Sequence, residues 1–156
     1  DGQLSIVNKP ENEGRDIVTT PNFIVREILR QTIKDNLAHL TDNQILNLKC
    51  ADIACGSGAF LLETFQLLCD ALVDFYMIND RSKLIQTDVN TYKLKFEIKR
   101  NVLTKCIYGV DKDFNAVEAC KFGLLLKLLE GEDESTIITF HPVLPNLGNN
   151  TFYGNS

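Results

Sequence analysis

Residues 52–60, Asp-Ile-Ala-Cys-Gly-Ser-Gly-Ala-Phe, carry the densest chemistry in this chain. A short apolar run halted by two glycines lets the backbone close on a ligand where a Cβ would intrude. A phosphate-cradling loop would need Gly-Lys-Ser/Thr where the chain has Leu61-Leu62-Glu63, so that chemistry is excluded. The dinucleotide fingerprint needs a third glycine where Leu61 stands, ahead of a helix N-terminus that takes pyrophosphate. What remains is a turn that closes on an uncharged nucleoside and an amino-acid moiety, through Cys55, Gly56 and Ser57. The competing reading of Gly56 and Ser57 is a strand-to-helix turn without a ligand. Asp111 ends a second apolar run, and a carboxylate there can accept both hydroxyls of a ribose. The competing reading makes Asp111 and Asp113 caps of the next helix. Cys50, Cys55, Cys69, Cys106 and Cys120 contain no Cys-x-x-Cys pair and read as reduced, mostly buried thiols. His39 and His141 stand apart from any ligand-like cluster, so no metal site is expected.

The elements that must position these residues follow from hydrophobic period. Thr19-Thr20-Pro21-Asn22 reads as a helix start, a threonine cap with proline at the first helical position. Ile24, Ile28, Leu29, Ile33 and Leu37 continue along one face, and Thr41-Asp42-Asn43 forms a turn. Residues 48–54 read as a buried strand leading into the glycine turn, and Leu61, Phe65, Leu68, Leu72 and Phe75 as a long helix. Residues 79–91 have the character of a loosely ordered connection, and 92–105 of a helix with Leu94, Ile98 and Val102 inward. Residues 106–111 form a second buried strand, and 114–129 a helix with Val117, Cys120, Leu124 and Leu128 on one face and Gly131 as terminator. Residues 130–134 read as solvated loop, 136–140 as a short strand, and 151–153 as a last strand closing on Gly154-Asn155-Ser156. Strands alternating with helices predict an α/β fold, a parallel sheet with helices on both faces, whose ligand lies beyond the strand carboxyl ends.

Composition sets the outer bounds. At 156 residues with 44% hydrophobic and 24% charged side chains, the chain fits one globular domain. The most apolar stretch, residues 59–78, is broken by Glu63, Gln66, Asp70 and Asp74, so no membrane span is expected. A secretory signal is also not evident, and the expected location is cytoplasmic. The net charge of -5 does not suit a phosphate track, and the basic cluster Lys93, Lys95, Lys99, Arg100 and Lys105 reads as a solvated helix face. With no initiator Met and an abrupt end at Ser156, the chain is expected to be a fragment.

In order along the chain, Thr-Pro-Asn-Phe-Ile-Val (20–25), Asp-Ile-Ala-Cys-Gly-Ser-Gly-Ala-Phe (52–60), Ile-Tyr-Gly-Val-Asp-Lys-Asp (107–113) and Leu-Pro-Asn-Leu…Gly-Asn-Ser (144–156) resemble the motifs of gamma-class adenine-N6 DNA methyltransferases. The nearest likeness is to the methylase portions of type IIG restriction-modification enzymes and related defence systems. That resemblance implies a class I S-adenosylmethionine-dependent methyltransferase (Rossmann-like) fold, with 1–18 as an N-terminal arm and 19–156 as the N-terminal part of the cofactor domain. It implies that Thr20 and its helix start meet the methionine carboxylate, where the helix dipole favours an anion. Asp52 would face the methionine ammonium, and Ala54, Cys55 and Gly56 would supply the backbone wall. Asp111 would hold the ribose hydroxyls, Lys112 would lie beside the adenine, and Asn155 would bond the adenine amino group. Two departures stand out. Val18-Thr19 precedes Pro21's helix where the family commonly has tyrosines, and the family's Asn-Pro-Pro-aromatic tetrapeptide occurs nowhere in these 156 residues. In the family that tetrapeptide holds the flipped adenine, so no residue here is assigned as catalytic. The implied whole protein methylates adenine N6 in double-stranded DNA, with a restriction or specificity subunit or domain as partner. An RNA or protein methyltransferase, a non-catalytic cofactor-binding module and, more distantly, a nicotinamide oxidoreductase are the rival readings.

Overall fold

The computed structural model describes residues 20–140 and 142–154. Expectations for the arm 1–18, for Thr19 and for Asn155 and Ser156 fall outside them. The chain begins with α1 (Asn22–Leu29), which passes through a π-helical stretch (Arg30–Lys34) into the short α2 (Asp35–Leu37). Pro21 sits one position before the helix proper, and its carbonyl accepts from Ile24 N (3.0 Å) and Val25 N (3.2 Å). The buried face is Val25, Leu29 and Leu37, whereas Ile24 and Ile28 are exposed. A run apolar on two faces leaves its phase undetermined by period alone. The expected turn at Thr41 is instead a capping box that opens α3 (Asp42–Leu46): Gln44 N donates to Thr41 Oγ1, and Thr41 N donates to Gln44 Oε1.

The central element is α4 (Ala59–Asn79), whose Leu61, Phe65, Leu68 and Leu72 are buried at the predicted spacing. It follows β1 (Cys50–Asp52) and is packed by β4 (Ile107–Asp111) and α6 (Phe114–Leu129). Val117, Cys120, Leu124 and Leu128 of α6 are all buried, as their period requires. The main sheet is parallel, in the order β1-β4-β5, with β5 at Thr151–Tyr153. Buried Asn150 fixes the approach to β5, since its Nδ2 donates to Thr104 O and Ile107 O, each at 2.9 Å.

Three expectations are corrected. Residues 79–91 are not a loose connection: after a 3₁₀ turn (Arg81–Lys83) comes an antiparallel hairpin of β2 (Leu84–Asp88) and β3 (Thr91–Leu94), with α5 (Phe96–Cys106) starting only afterwards. Asn90 makes the turn at φ 62°, a left-handed conformation that asparagine tolerates. Most of β2 is solvent-exposed, so no in-out alternation marks it. Residues 136–140 are not a strand either. Asp133 accepts from Thr136 N at 2.9 Å and starts α7 (Glu134–Thr139). The cap outweighs the strand preference of Thr136, Ile137 and Ile138. Finally, helices cover one sheet face among the described residues. On the other, Ala51 and Phe152 are exposed, Tyr108 and Val110 half-buried, and Ile53 is 67% exposed.

The basic cluster is not uniformly solvated. Glu132, placed by composition in solvated loop, has a side chain only 1% exposed and accepts Lys93 Nζ (2.9 Å) and Lys99 Nζ (2.8 Å). The same lysines donate to Gly131 O and Glu130 O, so the hairpin, α5 and the end of α6 meet on one carboxylate. Removing it strands two half-buried ammonium groups. Glu132→Ala is therefore expected to cost about 2 kcal/mol, discounted from the cost of breaking a fully buried pair because both lysines can turn to water. Urea unfolding monitored by circular dichroism checks this, and an unchanged midpoint would refute the clamp.

Candidate functional site

The site lies at the carboxyl ends of β1 and β4. Their parallel register, Cys50 with Ile107 and Asp52 with Gly109, brings the glycine turn beside Asp111. Cys55 N donates to Val110 O at 3.0 Å, which extends the strand pairing into the turn. Gly56 takes φ 52° and Gly58 φ 91°, conformations that side chains other than asparagine rarely adopt. Gly58 N donates to Cys55 O at 2.8 Å and closes the loop ahead of α4. A Cβ on Gly58 would lie 2.6 Å from Cys120 Sγ, and one on Gly109 2.7 Å from Leu61 Cδ1. Packing thus demands both glycines. At Gly56 the opposite holds, with no atom within 4 Å of a Cβ, so the turn borders open space.

Asp111 couples the two strand ends. Its Oδ2 accepts Gly56 N and its Oδ1 accepts Asp113 N, each at 2.8 Å. A carboxylate oxygen carries two acceptor sites, so each retains one. Asp113 caps α6 by accepting Asn115 N at 2.9 Å, as the capping alternative expects, whereas Asp111 bonds no N–H of the helix and holds the turn ahead of it together with Gly56. Asp52 Oδ1 accepts Ala54 N at 3.0 Å. Ser57 and Lys112 are exposed, and Thr20 is half-buried just before Pro21. The structure therefore brings together Asp52, Ala54, Cys55, Gly56 and Asp111, leaves Lys112 and Ser57 on the rim, and does not describe Asn155.

Two aromatic residues that period and motif did not single out stand at the same end: Phe114 and Tyr153, with ring centroids 5.9 Å apart and planes at 85°. Recesses also occur beside Arg26, Glu63 and Lys127, about 680 Å³, and along β1, about 490 Å³ and lined in part by Asp52. In the first the charges are consumed by the Arg26–Glu63 and Lys127–Glu130 ion pairs. Unspent acceptors and a glycine turn, rather than volume, single out the β1/β4 end.

All five cysteines are free thiols. Burial, with Asp111 and Asp52 nearby, raises the Cys55 thiol, and burial beside Cys55 raises Cys120 to about 12. Neither is a thiolate at neutral pH, so both act as packing. Among the described residues no group of three or more His, Cys, Asp or Glu could hold a metal ion, and no helix is long and apolar enough to cross a membrane.

The chain is an α/β domain with an open glycine turn and a carboxylate at neighbouring strand ends, the end of such a sheet where ligands bind, and comparison with known proteins narrows the class. No family model matches the chain. It is 56% identical over 155 residues, 99% of its length, to the type II restriction enzyme and methyltransferase RM.Eco57I of Escherichia coli. It is 32% identical over 114 residues to RM.MjaORFECS2P of Methanocaldococcus jannaschii, provisionally named with the same two activities. The chain spans 16% and 9% of the lengths of these relatives. The likeness is thus to one segment of restriction-modification proteins that combine cleavage and methylation.

Proposed function

We propose that the carboxyl ends of β1 and β4 bind S-adenosylmethionine, and that the full-length protein methylates adenine N6 at a specific site in double-stranded DNA within a restriction-modification system. The observation that carries this reading is the Asp111–Gly56 hydrogen bond at 2.8 Å, which joins a carboxylate with unspent acceptor sites to a glycine turn open to solvent. The residues present fit the cofactor: two vicinal hydroxyls match the two remaining acceptor sites of Asp111, and the bare Gly56 backbone leaves room for the nucleoside. S-adenosylmethionine, when bound, supplies a methyl group activated by its sulfonium. Asp111 holds the ribose, Ala54, Cys55 and Gly56 wall the ligand, Asp52 faces the ammonium, and Thr20 with the start of α1 receives the methionine carboxylate. By the family resemblance Lys112 would lie beside the adenine and Asn155 would bond its amino group. None of these residues transfers a proton or contacts the target base, so base recognition belongs to further sequence of the protein, with a restriction or specificity subunit or domain as partner. The identity to RM.Eco57I across 99% of the chain supports the restriction-modification assignment.

The test is calorimetric titration of the full-length protein with S-adenosylhomocysteine and, separately, NAD, followed by mass spectrometry of DNA incubated with a methyl-labelled donor. Saturable binding of S-adenosylhomocysteine, none of NAD, and label on adenine N6 are expected. Preference for NAD refutes the cofactor, and label on RNA, protein or another base refutes the substrate.

A further inference from the structure

Resting on the reading of the full-length protein as a restriction-modification enzyme, we propose that the groove between α1, α4 and α6 seats a helix of its restriction part. The case begins with α6, which is apolar on both faces. Val117, Cys120, Leu124 and Leu128 are buried as α6 packs on β4 and β5, while Phe122 (63% exposed) and Leu126 (53%) stand outward, one turn apart. Its 16 residues include only three charged ones, Glu118, Lys121 and Lys127. Lys121 pairs with Glu118, and Lys127 with Glu130. A helix apolar all round is a helix buried all round, so the outward stripe of α6 is matched to a further element. Leu126 lines the recess of about 680 Å³ together with Leu62 of α4, and Gly123 leaves bare backbone between Phe122 and Leu126. A second helix can therefore approach closely, its ridge laid along the i, i+4 row. The polar groups around the recess are spent within the chain: Arg26 pairs with Glu63, Lys127 with Glu130, and Gln66 donates to Asp70. Such a surface offers no free cation to a phosphate and complements an uncharged, apolar helix face instead. It also faces away from the sheet, and so from the strand ends beside which the target base is methylated. That assigns it to the part that cleaves rather than to the part that reads the DNA site. The matched segment is only 16% of the length of RM.Eco57I, so a protein of that kind has ample further chain to supply the helix.

The full-length protein is made with Phe122 replaced by the photo-crosslinker p-benzoylphenylalanine, irradiated, and its cross-linked peptides mapped by mass spectrometry. The restriction part is defined in the same protein as the segment whose deletion abolishes DNA cleavage and leaves methylation. Cross-links from residue 122 to that segment, at the mass of one chain, are expected. Leu126→Glu sets an unpartnered carboxylate in the contact and should lower the yield at least about tenfold. Leu126→Met, apolar and of similar volume, should keep it. Both variants should bind S-adenosylhomocysteine as wild type, which verifies that the cofactor part is folded. Cross-links to a second copy, to the part that reads the DNA or only within residues 1–156, no cross-link at all, or an unchanged yield in Leu126→Glu each overturn the docking and leave the cofactor reading intact. A wild type that cross-links as expected but binds no S-adenosylhomocysteine overturns the cofactor reading alone. A full-length protein that cleaves no DNA removes the occupant together with the restriction-modification reading.

Discussion

Asp111→Ala should reduce affinity for S-adenosylhomocysteine by two orders of magnitude or more. Two hydroxyls on an ionised carboxylate contribute roughly 1.5–3 kcal/mol each, and every 1.4 kcal/mol or so is a factor of ten. The substitution also frees Gly56 N and Asp113 N, which both donate to this carboxylate at 2.8 Å, so the glycine turn loses its tie to β4. Asp111→Asn separates charge from shape. The amide keeps one acceptor oxygen but turns its NH₂ toward one of those backbone N–H groups, donor against donor. It should therefore lose at least tenfold in affinity. Asp113→Ala is the matched control: it removes the cap on Asn115 N and should cost about 1 kcal/mol of stability, while the ligand's affinity stays near that of wild type. Calorimetry on the three variants of the full-length protein, each verified by melting, makes the comparison. A folded Asp111→Ala protein that binds like wild type would remove Asp111 from the site.

Much of this arrangement is legible in the chain because two strong local signals bracket it. The pair Gly56 and Gly58 after a short apolar run, and an aspartate after another, predict a strand-end site, and β1, β4 and the Asp111–Gly56 bond lie where those signals point. The helices α4 and α6 are equally legible, since their inward positions recur at helical spacing and their outward ones do not need to. The hairpin of β2 and β3 escapes notice because Leu84 and Leu94 are its buried residues and the strand between Leu84 and the turn is exposed, so period two leaves no trace. The burial of Glu132 is invisible for a related reason: in an acidic stretch nothing marks which carboxylate will meet Lys93 and Lys99. Phe114 and Tyr153 were hidden differently. Each sits at the end of a correctly read element, where an aromatic residue is equally consistent with core, and their meeting depends on the β4–β5 register, a long-range pairing.

The largest expected effect on stability is at Gly58. With φ at 91° an alanine there is strained by about 1–2 kcal/mol, and its Cβ would sit 2.6 Å from Cys120 Sγ and 3.3 Å from Cys120 Cβ. Cys120 is fully buried on α6 and has nowhere to retreat. Overpacking of this kind adds about 1–3 kcal/mol, so with the strain Gly58→Ala should destabilise the protein by about 2–5 kcal/mol in urea unfolding. The two contributions can be separated. Cys120→Ala alone leaves a small cavity and costs about 1 kcal/mol. Combined with Gly58→Ala it removes the Sγ that clashes, so the double variant should be more stable than the sum of the single losses by about 1–2 kcal/mol, whereas the backbone strain persists. Additive losses would mean that left-handed strain alone makes Gly58 necessary. The same cycle bears on binding. Gly56, open on its side-chain face, suffers only strain on substitution, so a binding defect in Gly58→Ala that Cys120→Ala relieves would trace the shape of the ligand-facing turn to the helix packed beneath it.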